Sequence, residues 1–192
     1  MNNIFVAVSP GGIQENPELK QLLGKMKRTL NDREVEARWV RPDLWHVTTA
    51  FLGPLAEERR LLLLEALRRW KPNASDVELR LHGLGGYPTS EQARVLWVGV
   101  GENQEFLRLQ SDLADFLSRH GFEITNRNFH PHMTLARLRH TQSLTDVIQL
   151  GGRKHFGDYP VREFIVFHSL LEGNILKYLP LARLPIVAGI GS

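Results

Sequence analysis

The chain has no cysteine at all. That excludes disulfides, thiolate metal sites and cysteine nucleophiles, and it agrees with a reducing compartment, so we expect the cytoplasm. No apolar run approaches the roughly 20 residues needed to span a bilayer. The start, Met1-Asn2-Asn3-Ile4, lacks the basic flank and long apolar stretch of a signal peptide and reads as the first strand. There is no Ser/Gly-rich linker and no low-complexity segment to cut the chain in two. A one-sided charge excess is missing as well: 24 Lys and Arg stand against 21 Asp and Glu. A duplex-binding protein would carry a clustered basic face. Here Arg59-Arg60 and Arg68-Arg69 share a helix with Glu57, Glu58 and Glu65, which reads as a solvated, ion-paired face. Any nucleic-acid contact is then local.

What is present is 192 residues, 42% of them hydrophobic. This is ample for the core of one domain or of two packed lobes. Leu19, Leu22, Leu23, Met26 and Leu30 are spaced for one face of a helix over 17–30, and Phe106, Leu109, Leu113 and Phe116 for a helix over 103–119, with Gly121 as its stop. Further helices are predicted over 56–70 and 143–149. Strands are predicted over 4–8, 37–40, 44–52, 77–82, 94–100, 132–139, 161–170 and 175–182, with Gly83-Leu84-Gly85-Gly86 as a tight turn. Similar helix–strand order recurs in the two halves, which predicts an α+β fold of two pseudo-symmetric lobes over 1–192. Each lobe is an antiparallel sheet with helices on its outer face, and the two flank a central cleft.

Two segments carry the chemistry: His46-Val47-Thr48-Thr49 and His132-Met133-Thr134-Leu135, one H-x-T pattern written twice. In an extended chain residues i and i+2 share a face, so each copy presents an imidazole beside a hydroxyl while Val47 and Met133 turn to the core. A single such histidine reads as structural; the duplication makes His46 and His132 a catalytic pair. Threonine favours strands for steric reasons, yet its shared face with each histidine makes Thr48 and Thr134 phosphate ligands. Arg137 stands five residues after His132, an odd spacing that turns it to the opposite face unless the strand bends. Phe51 has the same odd spacing from His46 and reads as core, with base stacking as the other reading; Tyr178 stacks on a base or packs. His130-Pro131-His132 invites a metal, but no Asp, Glu or Cys nearby completes a ligand set, so no metal and no cofactor is expected. Gly83-Leu84-Gly85-Gly86 leads into Tyr87-Pro88 rather than a helix and is no dinucleotide motif. Gly151-Gly152-Arg153-Lys154 lacks P-loop spacing and reads as a solvated loop.

"HVTTAFLG" together with "PHMTLAR" resembles the two-histidine phosphoesterase superfamily, and within it the RNA 2′,3′-cyclic phosphodiesterases, also called 2′-5′ RNA ligases. The likeness extends to the opening strand 4–8, to 83–88 followed by Arg94-Val95-Leu96-Trp97, and to Gly173 and Tyr178. Thr49, Asn3 and His168 depart from the family pattern, where an apolar, a basic and an aromatic residue are common. The resemblance implies metal-independent hydrolysis of RNA 2′,3′-cyclic phosphate ends to 2′-phosphomonoesters. His46 would be the proton donor and His132 the base, with Arg137 on the phosphate or leaving group and weak reverse 2′-5′ ligation. It also implies a monomer acting on RNA ends or nucleotides, without a membrane. Small cyclic nucleotides, 2′-5′ oligoadenylates and a non-catalytic nucleotide- or RNA-binding module stand as alternatives. Arg94, Arg137 and Lys154 are the candidates for a basic groove that separates these substrates.

Overall fold

The computed structural model describes residues 3–74, 77–125, 130–172 and 175–187. Nine strands and four α-helices follow in the order β1 Asn3–Val8, α1 Pro17–Asp32, β2 Ala37–Trp39, β3 Val47–Pro54, α2 Glu57–Leu67, β4 Glu78–Pro88, β5 Ala93–Val100, α3 Gln104–Arg119, β6 His132–Gln142, α4 Thr145–Gly151, β7 His155–Pro160, β8 Glu163–Glu172 and β9 Ile175–Pro185. Among the described residues no helix is long and apolar enough to cross a membrane.

The helices form where the sequence says they should. Asn16 caps α1, its Oδ1 accepting from the Leu19 N–H at 2.8 Å, with Pro17 at the first helical position. Asn103 caps α3 in the same way through Phe106. The buried faces are Leu19, Leu22, Met26 and Leu30 on α1, and Phe106, Leu109, Leu113 and Leu117 on α3. Each such side chain contributes roughly 1.5–3 kcal/mol by leaving water. Phe116, predicted for the buried face of α3, is only half-buried and stacks on His120 instead. Gly121 ends α3 at a φ of 74°. On α2, Glu57 pairs with Arg60 and Glu65 with Arg68 and Arg69, as expected of a solvated face.

All nine strands belong to one antiparallel sheet in the order β7-β4-β5-β6-β3-β1-β8-β9, with β2 added to β6. The β4-β5-β6 and β3-β1-β8-β9 segments are the two lobes, and β3 joins β6 through a single pair, Val47 with Met133. The helices interlock them. Helix α1, from the N-terminal half, packs on α4 beside β4, and its cap Asn16 donates to the Phe156 carbonyl of β7. Helix α3 packs on β3, where Gln110 donates to the Thr49 carbonyl at 3.1 Å.

Two elements differ from the sequence-based reading. Residues 83–88 are not a turn but the second half of β4, paired with β5 from Leu84 to Pro88. Glycine serves there because the Trp97 indole lies where a Cβ at Gly85 would be, with ring carbons 2.1 Å from that position. Strand β7, not predicted, is an edge strand rich in turn-forming residues, with Gly157 at a φ of 110°. Gly173, quoted for the family likeness, lies outside the described residues, as does Phe129.

Candidate active site

The strands place the two H-x-T copies around the Val47–Met133 pair. Both of these side chains are fully buried in the core. Continuing the antiparallel register by one residue sets His46 opposite Thr134 and Thr48 opposite His132, with all four side chains on the other face. There they line one cleft of about 1380 Å³.

The likeness between the copies goes further than the motif. On β3, Ala7 pairs with Thr48 and Val6 with Ala50, so Thr49 is an extra residue. On β6, Trp97 pairs with Thr134 and Leu96 with Ala136, so Leu135 is extra. Each β-bulge therefore falls on the third residue after the histidine, and two consecutive residues point inward: Thr49 and Ala50 in one copy, Leu135 and Ala136 in the other. Beyond each bulge the parity is reversed. Arg137, which unbroken alternation would turn away from His132, comes onto the cleft face. Phe51, its counterpart, is paired with Phe5 and shares the face of Thr48, which corrects the core reading by spacing. It does not, however, line the cleft. The departure at Thr49 is accommodated because its buried hydroxyl donates to the Val6 carbonyl at 3.0 Å.

The imidazoles are pinned alike. His46 Nδ1 lies 2.8 Å from the Leu44 carbonyl, and His132 Nδ1 lies 2.8 Å from the His130 carbonyl. A carbonyl only accepts, so Nδ1 carries the proton in each ring and Nε2 keeps its lone pair for the cleft. Their surroundings differ. His46 is enclosed by aromatics, stacked on Phe5 at 5.0 Å and met edge-on by Tyr178 at 5.1 Å, with Phe167 at 6.2 Å. Among the described residues, His132 has Trp97 as its one aromatic neighbour, at 5.9 Å. Burial in this cage pushes the His46 pKa down to about 4, with the Arg137 and His132 charges adding to the effect. Burial also lowers that of His132, with Arg137 and His130 contributing. Both shifts favour the neutral imidazole, and the larger one falls on the more deeply caged His46.

The cleft favours anions. Arg38, Arg41, Arg137 and Arg153 line it, and no Asp or Glu does among the described residues. Arg41 is paired with Asp43, whereas the side chains of Arg38, Arg137 and Arg153 make no hydrogen bond or ion pair with any described residue. The Thr48 and Thr134 hydroxyls are likewise without partners there. Two residues expected in a basic groove are elsewhere: Arg94 donates to the Arg139 carbonyl, and Lys154 does not line the cleft. Arg38 and Arg153 take their places. Tyr178 lines the cleft, and its ring packs against Phe5 and His46 as the packing reading expects. Sequence reading missed Phe5 and Trp97. Phe5 sits in an uninterrupted apolar strand, and only its pairing with Phe51, beyond the bulge, reveals its face.

No cluster of three or more His, Cys, Asp or Glu suited to a metal occurs among the described residues. Imidazoles without carboxylate or thiolate partners make a poor donor set for a catalytic divalent ion.

Comparison with known proteins finds a match over residues 16–163 to the model of the 2′-5′ RNA ligase superfamily. The RNA 2′,3′-cyclic phosphodiesterase of Archaeoglobus fulgidus is 30% identical over 180 residues, covering 92% of this chain and 97% of that protein. The protein of the same name from Aeropyrum pernix is 30% identical over 155 residues, or 80% and 86%. Among solved structures, TT0787 of Thermus thermophilus has the same fold, with a TM-score of 0.74 at 24% identity, covering 96% of this chain and 97% of that one. Escherichia coli LigT in its apo form gives 0.68 at 28% identity, with 96% and 97% covered.

Proposed function

This chain belongs to the 2′-5′ RNA ligase superfamily, and we propose that it hydrolyses RNA 2′,3′-cyclic phosphate ends to 2′-phosphomonoesters with its two H-x-T histidines. The observation that carries this reading is the pair of pinned imidazoles, each with Nε2 free, lining one acid-free cleft beside two unpartnered hydroxyls.

The reaction needs a proton removed from water on one side of phosphorus and a proton given to the departing ribose O3′ on the other. His132 Nε2 takes the proton of the attacking water and the P–O3′ bond breaks. O3′ leaves with a proton from His46, and the phosphate stays on O2′. The Thr48 and Thr134 hydroxyls donate to the non-bridging oxygens and Arg137 offsets the charge that builds on them. With a 5′-hydroxyl in place of water, the same steps join the two ends in a 2′-5′ linkage, so weak ligation accompanies hydrolysis.

One observation favours exchanging the two roles: the more deeply caged His46 holds a proton less readily than His132, as a base in a proton-sharing pair does. With the assignment as first written, His46 acquires its proton only once the anionic phosphate is bound.

The test is turnover of an oligonucleotide ending in a 2′,3′-cyclic phosphate, beside a 2′,3′-cyclic mononucleotide. His46→Ala and His132→Ala should each lower kcat by about 10²–10⁴, and the product should be the 2′-phosphomonoester. Wild-type rates in both variants would refute the catalytic pair. Turnover of the mononucleotide alone would remove RNA from the substrate class.

A further inference from the structure

The cleft is larger than one phosphate requires, and its floor on the β4-β5-β6 side is laid out in rows by the sheet register. In the first row Gly99 pairs with His132; in the next Gly85, Trp97 and Thr134 are aligned; in the third Tyr87, Val95 and Arg137. Arg38 of β2 continues the third row beyond Arg137. Neighbouring strands lie about 4.8 Å apart and successive same-face residues about 6.6 Å along the strand. The row of Arg137 and Tyr87 is therefore one step from the row of Thr134 and Trp97.

Within this grid the Trp97 side chain has an unusual seat. Its six-membered ring occupies the place of a Cβ at Gly85 and reaches to 3.3 Å from that of a Cβ at Gly99. With glycine at both positions the indole has room to reach across the neighbouring strand, and it lines the cleft. Tyr87, one same-face step further along β4, also lines the cleft and is 66% exposed, although a ring of its size ordinarily seeks cover. Arg38 and Arg137 stand in the same row, and their side chains have no partner among the described residues. No Asn, Gln, Asp, Glu or Ser lines the cleft among the described residues, so side-chain amides and carboxylates that distinguish one base from another are missing there.

We propose that Trp97, seated on Gly85 and Gly99, forms with Tyr87 a stacking subsite for the nucleobase of the substrate, next to the phosphate held by the two histidines. This rests on the phosphodiesterase reading and deepens it by naming how the nucleoside is held. The subsite holds a base by its π-face, which every base offers. Arg137 and Arg38 meet the backbone phosphate in the adjoining row.

The experiment is equilibrium binding of adenosine 2′-monophosphate and of ribose 2-phosphate, which lacks the base, to the wild-type protein and to Tyr87→Ala and Trp97→Leu. Wild type should bind the adenosine compound about tenfold or more tightly than its baseless counterpart, as one stacked base provides. Each variant should shrink that ratio, and Tyr87→Ala should leave the affinity for ribose 2-phosphate unchanged. Taking the ratio within each variant removes any effect of Trp97 on the neighbouring His132. Equal affinities in wild type, or an undiminished ratio in both variants, would overturn the subsite. Failure of the phosphodiesterase reading is recognised separately: the base-dependent ratio would be present while cyclic phosphates were not turned over.

Discussion

Among the described residues, Val47 and Met133 form the one pair that joins β3 to β6, and each is followed and preceded by the residues of an H-x-T motif. The two side chains that look least functional in the motifs thus set the distance between the two that look most functional. A pseudo-twofold relation centred on this pair carries over to the pinned Nδ1 atoms and to the bulges at Thr49 and Leu135. Among the described residues, what breaks the relation is aromatic: Phe5, Phe167 and Tyr178 around His46, against Trp97 beside His132.

That asymmetry makes the acid–base assignment testable. A cyclic phosphate with sulfur in place of the 3′-oxygen needs no proton on its leaving group. It should restore much of the activity lost in the variant that lacks the acid and none of that lost in the other. With His46 as donor, His46→Ala is the one rescued; rescue of His132→Ala instead establishes the exchanged roles.

The pH dependence follows from two imidazoles that both titrate below the ordinary 6.5. Catalysis needs one proton on the pair. Below the His46 value of about 4 both rings are charged and the base is lost; above the lowered His132 value both are neutral and the acid is lost. The kcat/KM profile, which reports the free enzyme, should be a bell with its maximum below pH 6.5. The kcat profile should lie at higher pH, because the bound phosphate favours both imidazolium forms. A kcat/KM maximum above pH 7 would contradict this cause.

Arg137 reaches the cleft only through the bulge at Leu135 and depresses both histidines by its charge. Arg137→Ala should lower kcat/KM by about 10²-fold, as removal of one stabilising donor does. It should also move the bell to higher pH, since a cause of lowering is gone. Arg137→Lys keeps the charge and should leave the position of the bell in place while losing the bidentate contact. A rate loss without the upward shift in Arg137→Ala would separate the guanidinium from the histidines.

Excess chelator should leave turnover of cyclic phosphate unchanged, because the cleft offers a divalent ion imidazoles without carboxylate or thiolate partners. The check is the rate before and after dialysis against chelator. Loss of activity restored by one divalent ion would require a ligand set that the described residues do not form.

Local pattern was enough for much of this. The period of two placed each histidine with its threonine and sent Val47 and Met133 inward, since side-chain alternation is a property of the strand itself. The period of 3.6 located α1 and α3 to within a residue or two. The same local rules failed where a partner strand decides. A bulge is defined by the register with a neighbour, so nothing within residues 132–137 announces that Leu135 is extra and that Arg137 turns to the cleft. Residues 83–88 read as a turn because their glycines lack strand propensity; they form a strand because Trp97, distant in sequence, needs the space a Cβ would fill. Strand β7 was invisible for a related reason: at the sheet edge it draws its order from β4 and carries little hydrophobic pattern of its own. The sequence by itself determined which face each side chain shares with its neighbour along the strand, because that depends on the chain's own geometry. Only the tertiary structure decided which faces meet, which histidine is caged and where the arginine points, because register and burial are properties of two strands and not of one.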